Sequence, residues 1–218
     1  MGYSVAIDGP AGAGKSTIAK RVAKERDFIY IDTGAMFRAM AIHFLRCGIA
    51  ADDHEKISNA VKDVSVTISY VNGEQQVFLN GENVTGQLRT EEVGNMASAS
   101  SVVGDVRKKL LELQRKLAAS ANVVMDGRDI GTVVLPDADV KVYLTASVEV
   151  RAQRRYKELI EKGQEADLEK IKKDIEERDY RDMNREIAPL RQAEDAILVD
   201  SSSMTIDENV QAILDLIK

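Results

Sequence analysis

A glycine-rich segment near the start of the chain constrains the fold more than any other feature. Residues 9–16 read Gly-Pro-Ala-Gly-Ala-Gly-Lys-Ser, which fits the P-loop pattern G-x-x-x-x-G-K-[ST]. Residues 3–7 before it have the pattern of a short buried strand, and residues 16–23 after it carry apolar side chains at helical spacing. A strand, a glycine-rich turn and a helix in this order predict a loop whose backbone N–H groups bind the phosphates of a nucleoside triphosphate.

Two side chains of this segment suit the same ligand. Lys15 can reach the terminal phosphates, and the hydroxyl of Ser16 suits Mg²⁺. Asp126, an acid at the end of a later predicted strand, is a second candidate ligand for that ion. The segment therefore predicts a triphosphate bound together with Mg²⁺.

Composition narrows the class of protein. A chain of 218 residues with 44% hydrophobic and 30% charged residues is typical of one globular α/β domain with insertions. A net charge of −6 and an aromatic content of 5% without tryptophan argue against a nucleic-acid partner. The chain has no apolar run of membrane-spanning length, and its single cysteine, Cys47, reads as a small buried side chain of a cytoplasmic protein.

Strand and helix patterns alternate along most of the chain. Strands are predicted at 28–31, 122–126, 140–144 and 196–199; helices are predicted at 35–47 and 106–119, and over most of 147–186. Asp105 is expected to cap the second helix, and Thr205 with Glu208 forms a capping box for the last one. This alternation predicts a parallel sheet with helices on both faces.

One segment breaks the alternation. Residues 64–70 and 76–79 alternate with period two, and Asn72-Gly73 between them is a hairpin signal. We therefore predict a small antiparallel β subdomain inserted into the parallel fold.

Arginines follow two of the predicted parallel strands, where ligands bind in open α/β sheets. Arg128 lies among Asp126, Gly127 and Asp129, a setting that favours a phosphate site, whereas Arg38 taken alone reads as a solvated surface residue. Farther on, Arg178, Asp182 and Arg185 are spaced i, i+4 and i+7, which predicts one shared helix face suited to a ribose and a phosphate.

Taken together, the motifs of this chain resemble those of the bacterial cytidylate kinases. The resemblance covers essentially the whole chain and rests on Gly-Pro-x-Gly-Ala-Gly-Lys-Ser-Thr at 9–17, Asp-Thr-Gly-Ala-Met at 32–36, Asp-Gly-Arg-Asp-Ile-Gly-Thr-Val-Val at 126–134, Glu-Arg-Asp-x-Arg-Asp-x-Asn-Arg at 177–185, Ala-Pro-Leu at 188–190 and Asp-Ser-Ser at 200–202.

The resemblance implies a single nucleoside monophosphate kinase domain with a three-layer P-loop kinase core, the inserted β subdomain and a helical lid. The core would comprise about 1–32, 104–153 and 187–218, the monophosphate-binding region about 33–103, and the lid with its helical arm about 154–186. The implied activity is ATP-dependent phosphorylation of CMP and dCMP with Mg²⁺, in a monomer that binds neither nucleic acid nor membrane.

Individual roles are carried over from the same motifs. The implied catalytic residues are Lys15, Arg128, Arg154 and Arg185. ATP would contact Gly9, Pro10, Ala11, Gly12, Ala13, Gly14, Lys15, Ser16, Thr17, Arg151 and Arg155. CMP would contact Thr33, Phe37, Arg38, Ser98, Arg107, Arg128, Asp129, Arg178, Asp182 and Arg185. Phe37 stands where a tyrosine is common, so a hydroxyl contact is lost at that position although the ring can still pack.

The chemistry of cytosine agrees with this assignment. A carboxylate such as Asp129 can accept from the N4 amino group, and an arginine such as Arg107 can donate to N3 and O2. Two alternatives stay open: a P-loop kinase for another monophosphate or a small hydroxylated metabolite, and a nucleotide-gated regulatory module. A regulatory switch needs only one nucleotide site, whereas the motifs at 32–38 and 126–131 add a second anion site.

Overall fold

The computed structural model describes residues 2–218. The chain divides into two compact units, which we call the middle unit (residues 29–123 with Gly2) and the terminal unit (residues 3–28 and 124–218). The strands are β1 Ser4–Asp8, β2 Ile29–Asp32, β3 Val66–Val71, β4 Glu74–Leu79, β5 Glu82–Asn83, β6 Val123–Gly127, β7 Val140–Thr145 and β8 Ile197–Asp200. The helices are α1 Lys15–Glu25, α2 Thr33–Arg46, α3 His54–Ala60, α4 Glu91–Ser100, α5 Gly104–Ala119, α6 Val148–Glu161, α7 Leu168–Asn184 and α8 Ile206–Leu214.

A five-stranded parallel sheet is the main element of the fold, with strand order β2-β6-β1-β7-β8. In the terminal unit Val5 lies opposite Val140 and Ile7 opposite Val142, and these side chains are almost completely buried. Such continuous apolar strands are typical of parallel sheets that are covered on both sides. The prediction of an α/β fold built on a parallel sheet is confirmed.

The middle unit contains the inserted subdomain, a three-stranded antiparallel sheet of order β3-β4-β5. Its first two strands are joined at Asn72-Gly73, where both residues have positive φ (52° and 77°), as a tight hairpin turn requires. The predicted insertion is confirmed, but the two-residue strand β5 was not predicted. A strand of that length has too few residues to show an alternating pattern.

Helix boundaries correct two predictions. Cys47 is exposed rather than buried, because α2 ends at Arg46 and Cys47 lies beyond its last turn, with Sγ 3.7 Å from Nε2 of His43. Asp105 does not cap α5, because that helix begins at Gly104, two residues before the predicted start. Its N-cap is Val103, and Asp105 lies inside the first turn. The carboxylate of Asp105 instead accepts a hydrogen bond from the Ser58 hydroxyl. The capping box of Thr205 and Glu208 forms as predicted.

Helix length and polarity bear on the membrane prediction. Within residues 2–218, none of the helices combines the length and the apolar character that crossing a bilayer would require.

Candidate active site

The P-loop connects β1 to α1 in the terminal unit. Gly9, Gly12 and Gly14 have φ values of 150°, 76° and 91°, which side chains with a Cβ rarely adopt. A Cβ on Gly9 would also lie 1.9 Å from the carbonyl oxygen of Leu144 on β7. The glycines that define the sequence pattern are therefore needed both for the loop conformation and for its packing against the sheet.

Lys15 is buried at the start of α1, and its ammonium group donates to the backbone carbonyl of Pro10 at 2.7 Å. Burial, followed by the positive charge of Arg128, holds the pKa of Lys15 well below its usual range. Arg128 can affect Lys15 in this way only if the two cations are near each other. The P-loop lysine and the strand-end arginine therefore share one electrostatic environment.

Ser16 and Asp126 form an oxygen pair next to Lys15. The Ser16 hydroxyl donates to Oδ2 of Asp126 at 3.0 Å, and Asp126 is buried at the end of β6. Mg²⁺ in phosphate-transfer sites takes one or two protein oxygens and completes its shell with phosphate oxygens and water. The hydroxyl and carboxylate of this pair fit such an ion.

Two arginines and two aspartates form a group that we call the arginine–aspartate cluster: Arg128, Asp129, Asp182 and Arg185. Three of the four are buried, and Arg128 is partly exposed. Nε of Arg128 lies 2.9 Å from Oδ2 of Asp182, and Nη1 of Arg185 lies 3.7 Å from Oδ1 of the same carboxylate. Nη2 of Arg185 lies 3.4 Å from Oδ1 of Asp129. One carboxylate thus holds two guanidinium groups, the groups best suited to bind a phosphate.

The charges of the cluster affect each other strongly. Burial alone would raise the pKa of Asp182, but Arg128, with Arg178 and Arg185, holds it below its ordinary value. Burial alone would lower the pKa of Arg128, but the negative charge of Asp182 outweighs burial and raises it. Both partners are therefore charged at neutral pH.

The position of Arg185 corrects the prediction of a shared helix face. Helix α7 ends at Asn184, and Arg185 has an extended backbone (φ −67°, ψ 143°) just beyond it. Its Nε donates to the carbonyl of Ala188 at 2.7 Å, and Leu190 N donates to the carbonyl of Asp182 at 2.8 Å. The chain therefore folds back over the end of the helix. This turn places the guanidinium of Arg185 next to the carboxylate of Asp182.

Arg151, a predicted ATP contact, is buried and hydrogen-bonded to protein groups. Its guanidinium donates to the carbonyl oxygens of Ala11 in the P-loop and Ala146 before α6, both at 2.9 Å. Its Nη2 lies 2.6 Å from Oδ2 of Asp179 on α7. Arg151 thus joins the P-loop to α6 and α7. Its partner Asp179 belongs to the motif at 177–185 but was assigned no role from the sequence.

The other two arginines of α6 contact different groups. Arg154 donates to Oγ and to the carbonyl of Ser201 at 3.0 and 2.6 Å, and the Ser201 hydroxyl donates to the carbonyl of Ala13 in the P-loop at 3.2 Å. Arg155 pairs with Glu158 at 2.9 Å. Through Ser201, Arg154 is linked to the loop predicted to bind ATP.

Asp8 supports the same loops but was missed by the sequence analysis. Its two carboxylate oxygens accept from the backbone N–H groups of Ile130 and Gly131, both at 2.8 Å. Asp8 ends β1, and the two amides directly follow Asp129. The carboxylate therefore fixes the segment after β6 beside the start of the P-loop.

The titration of Asp8 gives a prediction. Burial raises its pKa from 3.8 to about 6. Because the folded protein holds this proton more tightly than the unfolded chain, Asp8 makes folding less favourable as pH rises through this window. Asparagine does not titrate in this range. We therefore expect the free energy of unfolding of Asp8→Asn, minus that of wild type, to be about 1 kcal/mol larger at pH 7 than at pH 5. Urea denaturation of both proteins measures the difference, and a difference that stays constant with pH would contradict the prediction.

Five of the predicted site residues lie in the middle unit. The guanidinium of Arg107 lies over the ring of Phe37, 5.4 Å from its centroid, and donates to the carbonyl of Ser101 at 3.2 Å. The predicted packing of the phenylalanine ring is thus observed. Thr33 is buried at the first turn of α2, and the buried hydroxyl of Ser98 has no hydrogen-bond partner among the described residues. The Ser98 hydroxyl is therefore available to a hydrogen-bonding ligand.

Arg38 belongs to the same helix and lies near its start. Its Nη1 would lie 3.5 Å from a Cβ added to Gly34. A distance of this length is an ordinary van der Waals contact, so the guanidinium lies next to Gly34 in the first turn of α2.

Comparison with known proteins gives consistent results. The sequence profile of the family described as cytidylate kinase matches residues 5–218. The chain is 50% identical to a cytidylate kinase of Leuconostoc mesenteroides, over 99% of this chain and 96% of the relative. It is 51% identical to a cytidylate kinase of Shouchella clausii, over 100% of this chain and 96% of the relative.

Solved structures resemble the fold at low sequence identity. A gluconokinase from Sinorhizobium meliloti superimposes with a TM-score of 0.51 at 15% identity, covering 98% of this chain and 90% of that one. An uncharacterized protein from Eubacterium ventriosum gives a TM-score of 0.56 at 13% identity, with 99% and 98% coverage. These likenesses concern the fold alone. The match of the family profile and the identity of about one half to named relatives over nearly the whole length lead to one conclusion: the chain belongs to the cytidylate kinase family.

Proposed function

We propose that this protein transfers the γ-phosphoryl group of ATP to CMP or dCMP, giving ADP and CDP or dCDP. The observation that supports the proposal is the presence of two groups of cationic side chains in the terminal unit, Lys15 in the P-loop and the arginines of the arginine–aspartate cluster. The P-loop with Lys15 suits the donor phosphates, and the arginine–aspartate cluster suits the acceptor phosphate. The charge of Arg128 lowers the pKa of Lys15, so the two sites act on each other.

The proposed mechanism needs no general base. The attacking phosphate oxygen of a nucleoside monophosphate already carries negative charge at neutral pH, so catalysis consists of positioning and charge neutralisation. The Lys15 ammonium would exchange the carbonyl of Pro10 for phosphate oxygens of ATP. Arg128 and Arg185, held by Asp182, would bind the acceptor phosphate.

We assign Mg²⁺ to Ser16 and Asp126, whose hydroxyl and carboxylate oxygens fit the ion. When bound, it would neutralise charge on the phosphates of ATP. Within the protein, the Ser16–Asp126 hydrogen bond holds both oxygens close to the start of α1, where the positive end of the helix dipole also favours phosphate.

Recognition of the nucleoside is assigned to residues of the family motifs. Asp129 would accept from the N4 amino group of cytosine, and Arg107 would donate to N3 and O2, while Thr33 and Ser98 contact the base. Arg178 and Asp182 would contact the sugar, and Phe37 and Arg38 would also contact CMP. The cation–π contact with Phe37 supports a fixed orientation of the Arg107 guanidinium.

A substrate panel tests the proposed function. We expect ADP release with ATP and Mg²⁺ to be fast with CMP and dCMP and slow with UMP, AMP and GMP, because a site that hydrogen-bonds the amino group of cytosine leaves its polar groups unpaired with other bases. Fast turnover with UMP, AMP or shikimate but not with CMP would overturn the proposal. Slow ATP hydrolysis that no acceptor accelerates would favour a regulatory module.

Arg154 is proposed to leave Ser201 and contact the triphosphate during turnover. We expect Arg154→Ala to lower kcat by about tenfold or more, because the site loses a cation that neutralises transition-state charge. Arg155→Ala, which removes the pair with Glu158, tests the neighbouring arginine in the same way. Unchanged turnover in both variants, measured by ADP release, would contradict the proposed role.

We also propose that the protein is a monomer in the cytoplasm. Light scattering of the purified protein at several concentrations tests the first statement, and a mass that doubles with concentration would contradict it. Fractionation of the source cells tests the second.

A further inference from the structure

The inserted β subdomain contacts the backbone of β2 through two side chains. Oε1 of Gln75 accepts from the N–H of Asp32 at 2.9 Å, and its Nε2 donates to the carbonyl of Asp32 at 3.1 Å. The hydroxyl of Tyr70 donates to the carbonyl of Tyr30 at 3.2 Å. The Gln75 amide thus pairs with both backbone groups of one residue, much as a neighbouring strand would.

The register of the hairpin explains why these two side chains act together. Tyr70 on β3 and Gln75 on β4 are directly opposite each other in the antiparallel pairing. Cross-strand partners project from the same face of a sheet, so both side chains reach β2. Their targets, Tyr30 and Asp32, are two residues apart, which is the spacing of groups that face the same side of a strand.

Asp32 links this contact to the predicted acceptor residues. It is the last residue of β2 and the N-cap of α2, where its Oδ1 accepts from the N–H of Ala35 at 3.0 Å. Thr33 follows it directly, and Phe37 and Arg38 lie within the first two turns of the same helix. The position of the Asp32 backbone therefore determines the backbone positions from which these three side chains project.

A second contact holds the opposite end of the same helix. Arg46, in the last turn of α2, makes two hydrogen bonds to the carboxylate of Glu82 on β5, at 2.7 and 2.8 Å. Both partners are about half exposed, so this pair contributes little stability in water. The contact at Asp32 is less exposed and directional, and it is the stronger constraint.

We propose that Gln75 is a positioning residue for the acceptor nucleotide. By holding Asp32, it fixes the start of α2 and with it Thr33, Phe37 and Arg38. The inserted subdomain would thereby set the affinity for CMP without touching the nucleotide through Gln75. This inference rests on the proposed function and deepens it.

The test compares Gln75→Leu with wild type and with a matched control, Gln76→Leu. Gln76 is the next residue on β4 and accepts from Nδ2 of Asn83 within the inserted sheet. We expect Gln75→Leu to raise the KM for CMP about tenfold, because two directional hydrogen bonds to Asp32 are lost. The KM for ATP is expected to stay within about twofold of wild type, as is every kinetic constant of Gln76→Leu.

Two further variants separate positioning from general stability. Gln75→Glu keeps the shape and the acceptor but cannot donate to the carbonyl of Asp32, so it is expected to raise the KM for CMP at least as much as the leucine variant. Tyr70→Phe removes only the contact with Tyr30 and is expected to have a smaller effect in the same direction. If the leucine variant does not fold, the KM values of Gln75→Glu and Tyr70→Phe decide whether Gln75 positions the acceptor residues.

Several outcomes would overturn the inference. One is a KM for CMP equal to wild type in the Gln75 variants; another is an equal rise of the KM for both substrates, as a general loss of order would give. A loss of folded enzyme is recognised separately, because it lowers the apparent kcat and leaves both KM values unchanged. The failure of the proposed function is recognised separately, because it appears in the wild-type protein as poor turnover of CMP. If wild type prefers another monophosphate, the same variants are compared on that acceptor.

Discussion

Lys15→Ala is expected to lower kcat by about three orders of magnitude while the protein stays folded. The ammonium group of Lys15 is proposed to contact the phosphates, and loss of one preorganised charge contact to a transition state typically costs a factor of about 10²–10³. Burial already opposes the charge of this lysine, as the direction of its pKa shift indicates. Removing a buried charge whose backbone partner is the carbonyl of Pro10 should therefore cost little folding stability.

Steady-state ADP release with saturating ATP and CMP measures the effect, and thermal unfolding of the same samples checks the fold. Lys24→Ala is the matched control, since Lys24 lies on the same helix α1 with an exposed side chain. A Lys15→Ala enzyme within about tenfold of the wild-type kcat would contradict the assigned role.

Asp182→Ala is expected to reduce both stability and activity strongly. The substitution leaves Arg128 and Arg185 without the carboxylate that holds them, and breaking a buried ion pair on one side typically costs about 3–5 kcal/mol. The two guanidinium groups would then repel each other, so we expect kcat/KM for CMP to fall by about two orders of magnitude. Urea denaturation and initial-rate kinetics measure the two effects.

An added anion distinguishes this explanation from a packing defect. Inorganic phosphate can bind between two arginines that have lost the carboxylate they share, so it should stabilise Asp182→Ala more than it stabilises wild type. Asp182→Asn is the control, because it keeps the shape and a hydrogen-bond acceptor while removing the charge. Equal stabilisation of all three proteins by phosphate, or an alanine variant as stable as wild type, would contradict the prediction.

Local features were predictable where the backbone itself demands particular residues. The glycines of the P-loop, the Asn72-Gly73 turn and the Thr205 capping box each have a local conformation that few residues can adopt. The parallel sheet followed from the alternation of buried strands with helices. The loop, turn and cap predictions succeeded because cause and effect lie within a few residues of each other.

Features that depend on distant partners were not predictable. Asp8 and Gln75 bind backbone groups 122 and 43 residues away, and a single polar residue beside or within a strand carries no signal of such a target. Cys47 and Arg185 were assigned to the wrong environment because each lies just outside a helix end, and a helical pattern does not fix its ends to the residue. The assigned roles toward ATP and CMP come from the family motifs and are tested by the experiments above.

The hairpin also identifies where this protein can accept additional chain. Gly73 at its tip has open space around the position of a Cβ, so a reporter peptide inserted between Asn72 and Gly73 would extend into solvent and leave the pairing of the strands intact. One extra residue inside β4, between Glu74 and Gln75, would have the opposite effect, because a shift of one position turns the side chains that follow to the other face. The turn is thus a tolerant site for a fluorescent label. An insertion a few residues later, inside β4, would disconnect the inserted sheet from the start of α2.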